Sequence, residues 1–115
     1  MDDLVAFLRA RVAEDEARAR SAAESYGDRW TADASGGVRG SIEYVSVIGE
    51  PGSPDDYVAR HDPARVLREV DAKRRIVDRY AWLREHGDTG DAAWILPLLA
   101  AAYADHPDYR EEWRP

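Results

Sequence analysis

The run HDPARVLREVDAKRRIVDRYAWLREHG, residues 61–87, constrains this chain most, because it specifies one long helix with both ends marked. Asp62 can accept from the free amides of a first turn, and Pro63 fits a position whose amide has no partner in any case. Gly87 can take the left-handed conformation that closes a helix. At about 100° per residue, Val66, Val70, Val77 and Ala81 share one face. Leu67 flanks it on one side and Ile76, Tyr80 and Leu83 on the other. Arg68, Arg75 and Arg79 lie opposite, with Trp82 beside them. Glu69 to Lys73 and Asp71 to Arg75 are acid-before-base pairs at i,i+4, the favourable order. Such a helix buries one side and solvates the other.

A second amphipathic helix is expected at the start, from Asp3 to Tyr26, ended by Gly27. Its apolar stripe is Val5, Leu8, Val12, Ala19, Ala23 and Tyr26. Glu16 interrupts that stripe, and Lys73 and Arg84 interrupt the stripe of the long helix, which suggests an ion pair between them. Between the helices the residues turn to β character. Arg29–Asp33 reads as a short strand, ASGGVRG (34–40) as its loop, and Ser41–Ile48 as the strongest strand, dense in β-branched and aromatic side chains. GEPGSP (49–54) is turn chemistry, and Asp56–Arg60 reads as a third strand. Beyond the long helix, Ala92–Ala104 is an apolar segment expected to begin or bend at Pro97. The order predicts a two-layer α+β fold, α-β-β-β-α-α, with an antiparallel meander packed by the two long helices. Residues 1–104 form one domain in this reading, and 105–115 an acidic, aromatic tail.

Composition narrows the chemistry. With 115 residues, 44% of them hydrophobic, the chain can form a modest core. It has no Cys, which removes disulfides, thiolate nucleophiles and thiolate metal sites. It also has no Asn or Gln, the side-chain amides that read adenine or line oxyanion holes. The formal net charge is −7, so neither nucleic acid nor an anionic membrane is an expected partner. No segment reads as a signal peptide or a membrane span, and a cytoplasmic protein is expected.

Motifs for catalysis are absent. His61, His86 and His106 each neighbour an acid, but none has the i,i+4 spacing that sets two metal ligands on one helix face. No metal or other cofactor is expected. Glu14, Asp15 and Glu16 read as a solvated or ion-paired cluster. Gly36, Gly37 and Gly40 lead into a strand and not a helix start, so they lack the setting of a phosphate loop. Arg68, Arg75 and Arg79, with Trp82 to stack a base, could meet a nucleic acid. Residues 62–85, however, carry seven basic and five acidic side chains, which suits a salt-bridged surface.

The runs HDPARVLREVDAKRRIVDRY (61–80), YVARHDPARV (57–66) and YADHPDYREEWRP (103–115) resemble a family of small acidic actinomycete proteins catalogued as a domain of unknown function. MDDLVAFLRARVAEDEARAR (1–20) is similar to the usual start of its members. The resemblance implies no activity, substrate or site. Members often carry a cysteine ahead of the C-terminal segment, where this chain has Ala92-Ala93-Trp94.

Four Trp and six Tyr exceed what a small core needs, and both are common interface anchors. The expected function is therefore a non-enzymatic protein-interaction or regulatory module, possible also as a homodimer, with Trp82, Tyr109 and Trp113 as partner-binding candidates and no catalytic residue. Alternative readings are a small hydrolase or transferase using His61 or His106 and, third, a nucleic-acid binder through the arginine face. Tyr109 and Trp113 stand at i,i+4, so their rings either fold back on the domain or hold a partner.

Overall fold

A computed structural model describes residues 2–33, 36–46, 55–87 and 90–115. The chain runs α1 (Asp2–Tyr26), β1 (Trp30–Ala32), β2 (Val38–Gly40), β3 (Tyr44–Ser46), α2 (Asp55–Arg60), α3 (Pro63–Glu85) and α4 (Gly90–Ala101), and closes on a 3-10 turn, Glu111–Trp113. The three strands form one antiparallel meander in the order β1-β2-β3. The fold is α+β, as the sequence predicts. It comprises two compact units, Met1–Glu14 with Asp71–Pro115, and Asp15–Val70. Each long helix contributes one part to each unit.

The α3 boundaries follow from the chemistry at its ends. Asp62 Oδ1 accepts from the amide of Arg65 at 2.9 Å, which satisfies a first-turn donor. Its other oxygen, Oδ2, accepts from the amide of Trp30 at 3.1 Å. One carboxylate therefore fixes both the start of α3 and the start of β1. The amide of Ala64 adds a bond to Asp28 O at 2.8 Å. At the far end Gly87 has φ +94°, the left-handed closure.

In the unit Asp15–Val70, Gly27 ends α1 with φ +90°, and its amide bonds Ala23 O. The carbonyl of Tyr26 then accepts from Ile42 at 2.9 Å, which draws the β2–β3 turn under the helix end. A methyl group at Gly27 would run into Ser41 Oγ and lie 2.9 Å from Ile42 N. Here the glycine answers to close approach as well as to φ. Trp30 Nε1 donates to Gly27 O at 2.9 Å, and its ring meets Tyr26 edge-on. The fully buried Val38 is the core residue of the sheet.

Strand positions differ from those expected. Val38–Gly40, read as loop, is the central strand. Residues 41–43 form the turn, closed by Gly40 N to Glu43 O at 2.9 Å, so of the described residues of the expected 41–48 strand Tyr44–Ser46 are extended. Val47, Ile48 and the 49–54 turn lie outside the described residues. Tyr44 is exposed, its hydroxyl donating to Asp33 at 2.9 Å. The expected strand Asp56–Arg60 is helical. Buried Asp55 accepts from Gly37 N at 2.7 Å, and Tyr57 stacks on His61 with centroids 4.4 Å apart. An i,i+4 stack needs helical spacing, and Arg60 sits in the last turn, where a cation suits the dipole. This short helix, α2, is the element that packs on β1 and β2.

In the other unit, the first half of α1 supplies Leu4, Val5, Phe7 and Leu8 to a core with Val77, Ala92, Leu96, Ala100 and Trp113. Helix α4 begins at Gly90, not at Pro97, and continues through the proline. Pro97 removes one backbone bond, while fully buried Leu96 and Ala100 on the other side hold the helix to the core.

Two substitutions of one chemical kind separate the two glycine roles. Gly87→Ala meets no neighbour within 4 Å, so it is expected to cost only the left-handed penalty of about 1–2 kcal/mol. Gly27→Ala should cost clearly more, because Ser41 and Ile42 must also move; urea unfolding of both variants is the measurement.

Candidate functional site

The C-terminal segment is built into the core around the only phenylalanine of the chain. The ring of Phe7 meets Trp113 at 5.0 Å between centroids, His106 at 5.7 Å, Tyr109 at 6.0 Å and Tyr103 at 6.3 Å. Tyr109 and Trp113 also meet edge-on at 5.8 Å, as their spacing allows. Trp113 is only 9% exposed. Of the two outcomes open for the tail, the structure has the fold-back: Trp113 is a core residue and Tyr109 packs beside it. Trp113 therefore has little surface to offer a partner in this conformation.

A polar anchor lies beside this aromatic cluster. The Arg11 side chain is about nine-tenths buried and lies 5.2 Å above Phe7. Its guanidinium donates to Glu14 at 3.0 Å and to His106 Nδ1 at 2.7 Å, contacts His106 Nε2, and lies 3.8 Å from Asp108. The amide of Asp108 also donates to Nδ1, at 3.0 Å, which makes that nitrogen an acceptor. Arg11 was not singled out by the sequence, where it is one arginine among many. Further along, Arg110 pairs with Asp3 at 3.0 Å. Arg114 forks onto Glu111 through two bonds of 2.8 Å. Those hydrogen bonds, and next the nearby positive charge, hold the Glu111 carboxyl below its ordinary range and push the Arg114 guanidinium up.

Exposed apolar side chains lie elsewhere in the same unit. Trp82 is 48% exposed; it stacks on His86 at 3.9 Å, with Arg79 5.2 Å from its ring. On α4, Trp94 is 68% and Leu98 45% exposed. They stand one turn apart, on the side away from Ala92, Leu96 and Ala100. The sequence reading did not find them. Residues 92–104 are apolar all round, so no stripe marks which side faces out.

The other candidates take structural roles. His61 is exposed and donates from Nδ1 to Tyr57 O at 2.8 Å; His86 does the same to Trp82 O at 2.7 Å. His61 lines an open groove of about 240 Å³ with Asp15, Arg18, Trp30 and Val66 among its walls. Arg75 pairs with Asp71 at 3.1 Å, as the i,i+4 spacing predicts, and Arg68 is exposed. Glu16 pairs with Arg20 at 3.6 Å, while Lys73 lies over the Tyr103 ring at 5.5 Å. Among the described residues no three of His, Asp and Glu gather as metal ligands. Among them also, no helix is long and apolar enough to cross a membrane.

Fold and surface together define a small α+β protein whose C-terminal segment completes a core and whose exposed apolar side chains include Trp82 on α3, Trp94 and Leu98 on α4, Ile42 in the β2–β3 turn and Tyr57 on α2. The chain belongs to DUF6221, a family of unknown function whose family model matches residues 1–115. No curated protein and no solved structure matches it.

Because Trp113 is buried, Trp113→Ala should lower stability by about 3–5 kcal/mol in chemical denaturation, the usual cost of emptying an aromatic core site. The Glu111–Arg114 pair should act only through pH. A lowered carboxyl pKa contributes stability above its unfolded value and loses it as pH falls through the folded one. The wild type should therefore lose its small advantage over Glu111→Gln on acidification through the carboxylate range, as read from melting curves against pH.

Proposed function

We propose that this protein is a cytoplasmic, non-enzymatic interaction module whose docking surface is the exposed face of α4, with Trp94 and Leu98 at its centre. The observation that carries this reading is the pairing of two large, exposed apolar side chains on a helix whose only charged residue is Asp91. Large aromatics set in uncharged surface are the usual energetic centre of an interface. Trp82, stacked on His86, is a second exposed aromatic in the same unit.

The partner this surface suits is a protein offering an apolar groove with a basic rim. The net charge of −7 favours a basic partner at long range, and α4 carries no cation to oppose one. A second copy of this chain would bring the same uncharged helix but also the same net charge, so the hetero-complex is preferred. Two side chains do not make an interface, and the remaining contact area must come from around them.

The variants Trp94→Ala and Leu98→Ser should leave stability within about 0.5 kcal/mol of wild type, since neither side chain is core. Both should lose the same partner in affinity purification from the native host, with loss of binding confirmed on the two purified proteins. Light scattering on the wild type and on Trp94→Ala separates the homodimer: a wild-type dimer that dissociates in the variant assigns the face to a second copy. Retention of all partners by both variants, with a monomeric wild type, would remove the reading.

A further inference from the structure

The unit Asp15–Val70 holds a groove of about 440 Å³ beside the end of α1, the β2–β3 turn and the first turns of α3. Ala23 on α1, Ile42 in the turn and Leu67 on α3 supply its apolar surface. Ile42 is 70% exposed, so an aliphatic side chain stands uncovered in this lining. What the fold takes from residue 42 is its amide, which donates to Tyr26 O at 2.9 Å. Any residue with a backbone N–H makes that bond, so the turn itself does not call for isoleucine.

The charged residues of the lining are Arg20, Glu24 and Asp28. Arg20 reaches back one turn to Glu16, at 3.6 Å. Glu24 and Asp28 are exposed and form no ion pair among the described residues, which include every Lys and Arg of the chain. Glu24 lies in the last turn of α1, which has no basic residue, and Asp28 lies two residues beyond it. Negative side chains there add to the negative pole of the helix and do not oppose it. The groove thus joins uncovered aliphatic surface to carboxylates that no cation of the chain answers.

We infer that this groove docks an extended, basic segment of a protein partner. A Lys or Arg side chain would lie against Glu24 and Asp28, with an apolar neighbour against Ile42 and Leu67. Charge complementarity selects this occupant. Lys and Arg carry an apolar stem behind the charge, so one side chain can cover aliphatic surface while its head meets the rim. The volume lies in the range of small-ligand sites, about 300–1,000 Å³, which suits one or two side chains. The net charge of −7 steers a cationic segment towards the chain and opposes a second copy of it. Exposed ion pairs are individually weak, so the apolar contacts carry part of the affinity. This groove is independent of the α4 docking face, which belongs to the other unit.

The test is amide NMR on the labelled wild type, titrated with acetyl-leucyl-arginyl-leucine amide. One comparison peptide replaces arginine by citrulline, which keeps the shape and removes the charge; the other replaces it by glutamate. The arginine peptide should give saturable shifts centred on Ala23, Glu24, Ile42 and Leu67. The citrulline peptide should bind roughly fivefold more weakly, and the glutamate peptide more weakly still. Glu24→Gln combined with Asp28→Asn should bring the arginine peptide down to the level of the citrulline one. Ile42→Ser should weaken both of these peptides alike, because it removes apolar contact and no charge. All three positions are exposed, and the bond from the residue 42 amide to Tyr26 O is kept, so the variants should melt with the wild type. The proposal is overturned by absent or non-saturable shifts, by shifts centred elsewhere, or by a citrulline or glutamate peptide that binds as well. It is equally overturned if the double variant or Ile42→Ser binds the arginine peptide like the wild type.

Discussion

The unit formed by the chain's two ends depends on the ring of Phe7. Three aromatic side chains of the C-terminal segment and one of its histidines converge on that ring, and the guanidinium of Arg11 lies above it. Aromatic pairs of this geometry contribute about 0.5–1.5 kcal/mol each beyond burial. A core this small has little aliphatic area to work with, so rings that each touch several others are an efficient way to fill it. The polar contacts follow from that arrangement. Burying Arg11 beside the rings requires partners: His106 and Glu14 accept from its two terminal nitrogens and Asp108 adds a nearby charge, while its Nε has no hydrogen-bond partner among the described residues. The segment after α4 is thus ordered by a ring cluster with a charged anchor, although it contains only one short 3-10 turn.

The unit Asp15–Val70 has a different basis. Its strands are three residues each, too short to hold a sheet by ladder bonds alone. Side chains from the helix ends do part of that work. Asp62 ties β1 to the start of α3, and Asp55 ties Gly37, just before β2, to the start of α2. The end of α1 accepts the β2–β3 turn through Tyr26 O. The sheet is therefore positioned at its margins by helix caps and in its interior by Val38.

This division explains what the sequence made legible. Helix α3 could be read almost to the residue, because Asp62-Pro63 and Gly87 are local signals and local signals decide caps. Of the strands, β1 could be read in place, β3 in part, and β2 not at all, while the third expected strand is α2. Ser41 to Ile48 has strong β propensity, yet the closure of α1 draws residues 41–43 into a turn; conversely, Val38 enters a strand from a glycine-rich stretch because the core needs it. Tertiary demand outweighed propensity at both points. At the surface, the i,i+4 spacing of Tyr109 and Trp113 was legible, but their burial depended on Phe7, about a hundred residues away in sequence. Trp94 and Leu98 gave no signal, since a helix apolar on every side has no phase to read.

The missing side-chain amides give the remaining pattern. With no Asn or Gln, this chain must cap free backbone groups by other means. Free N–H groups go to carboxylates, which only accept: Asp62 takes Trp30 and Arg65, Asp55 takes Gly37, and Glu43 takes Tyr44. Free carbonyls go to aromatic and imidazole N–H donors. Trp30 serves Gly27, His61 serves Tyr57 and His86 serves Trp82. Both of these histidines directly follow a helix end region, and each also stacks on an aromatic ring one turn earlier. Their positions are thus accounted for by the ends of α2 and α3 before any chemistry is assigned to them. The same holds for His106, which Arg11 and the Asp108 amide occupy. Outside this capping scheme stand exposed apolar side chains, among them Trp94 and Leu98. These side chains have no evident role in holding the fold, and that is the physical reason for placing recognition there and not at the histidines.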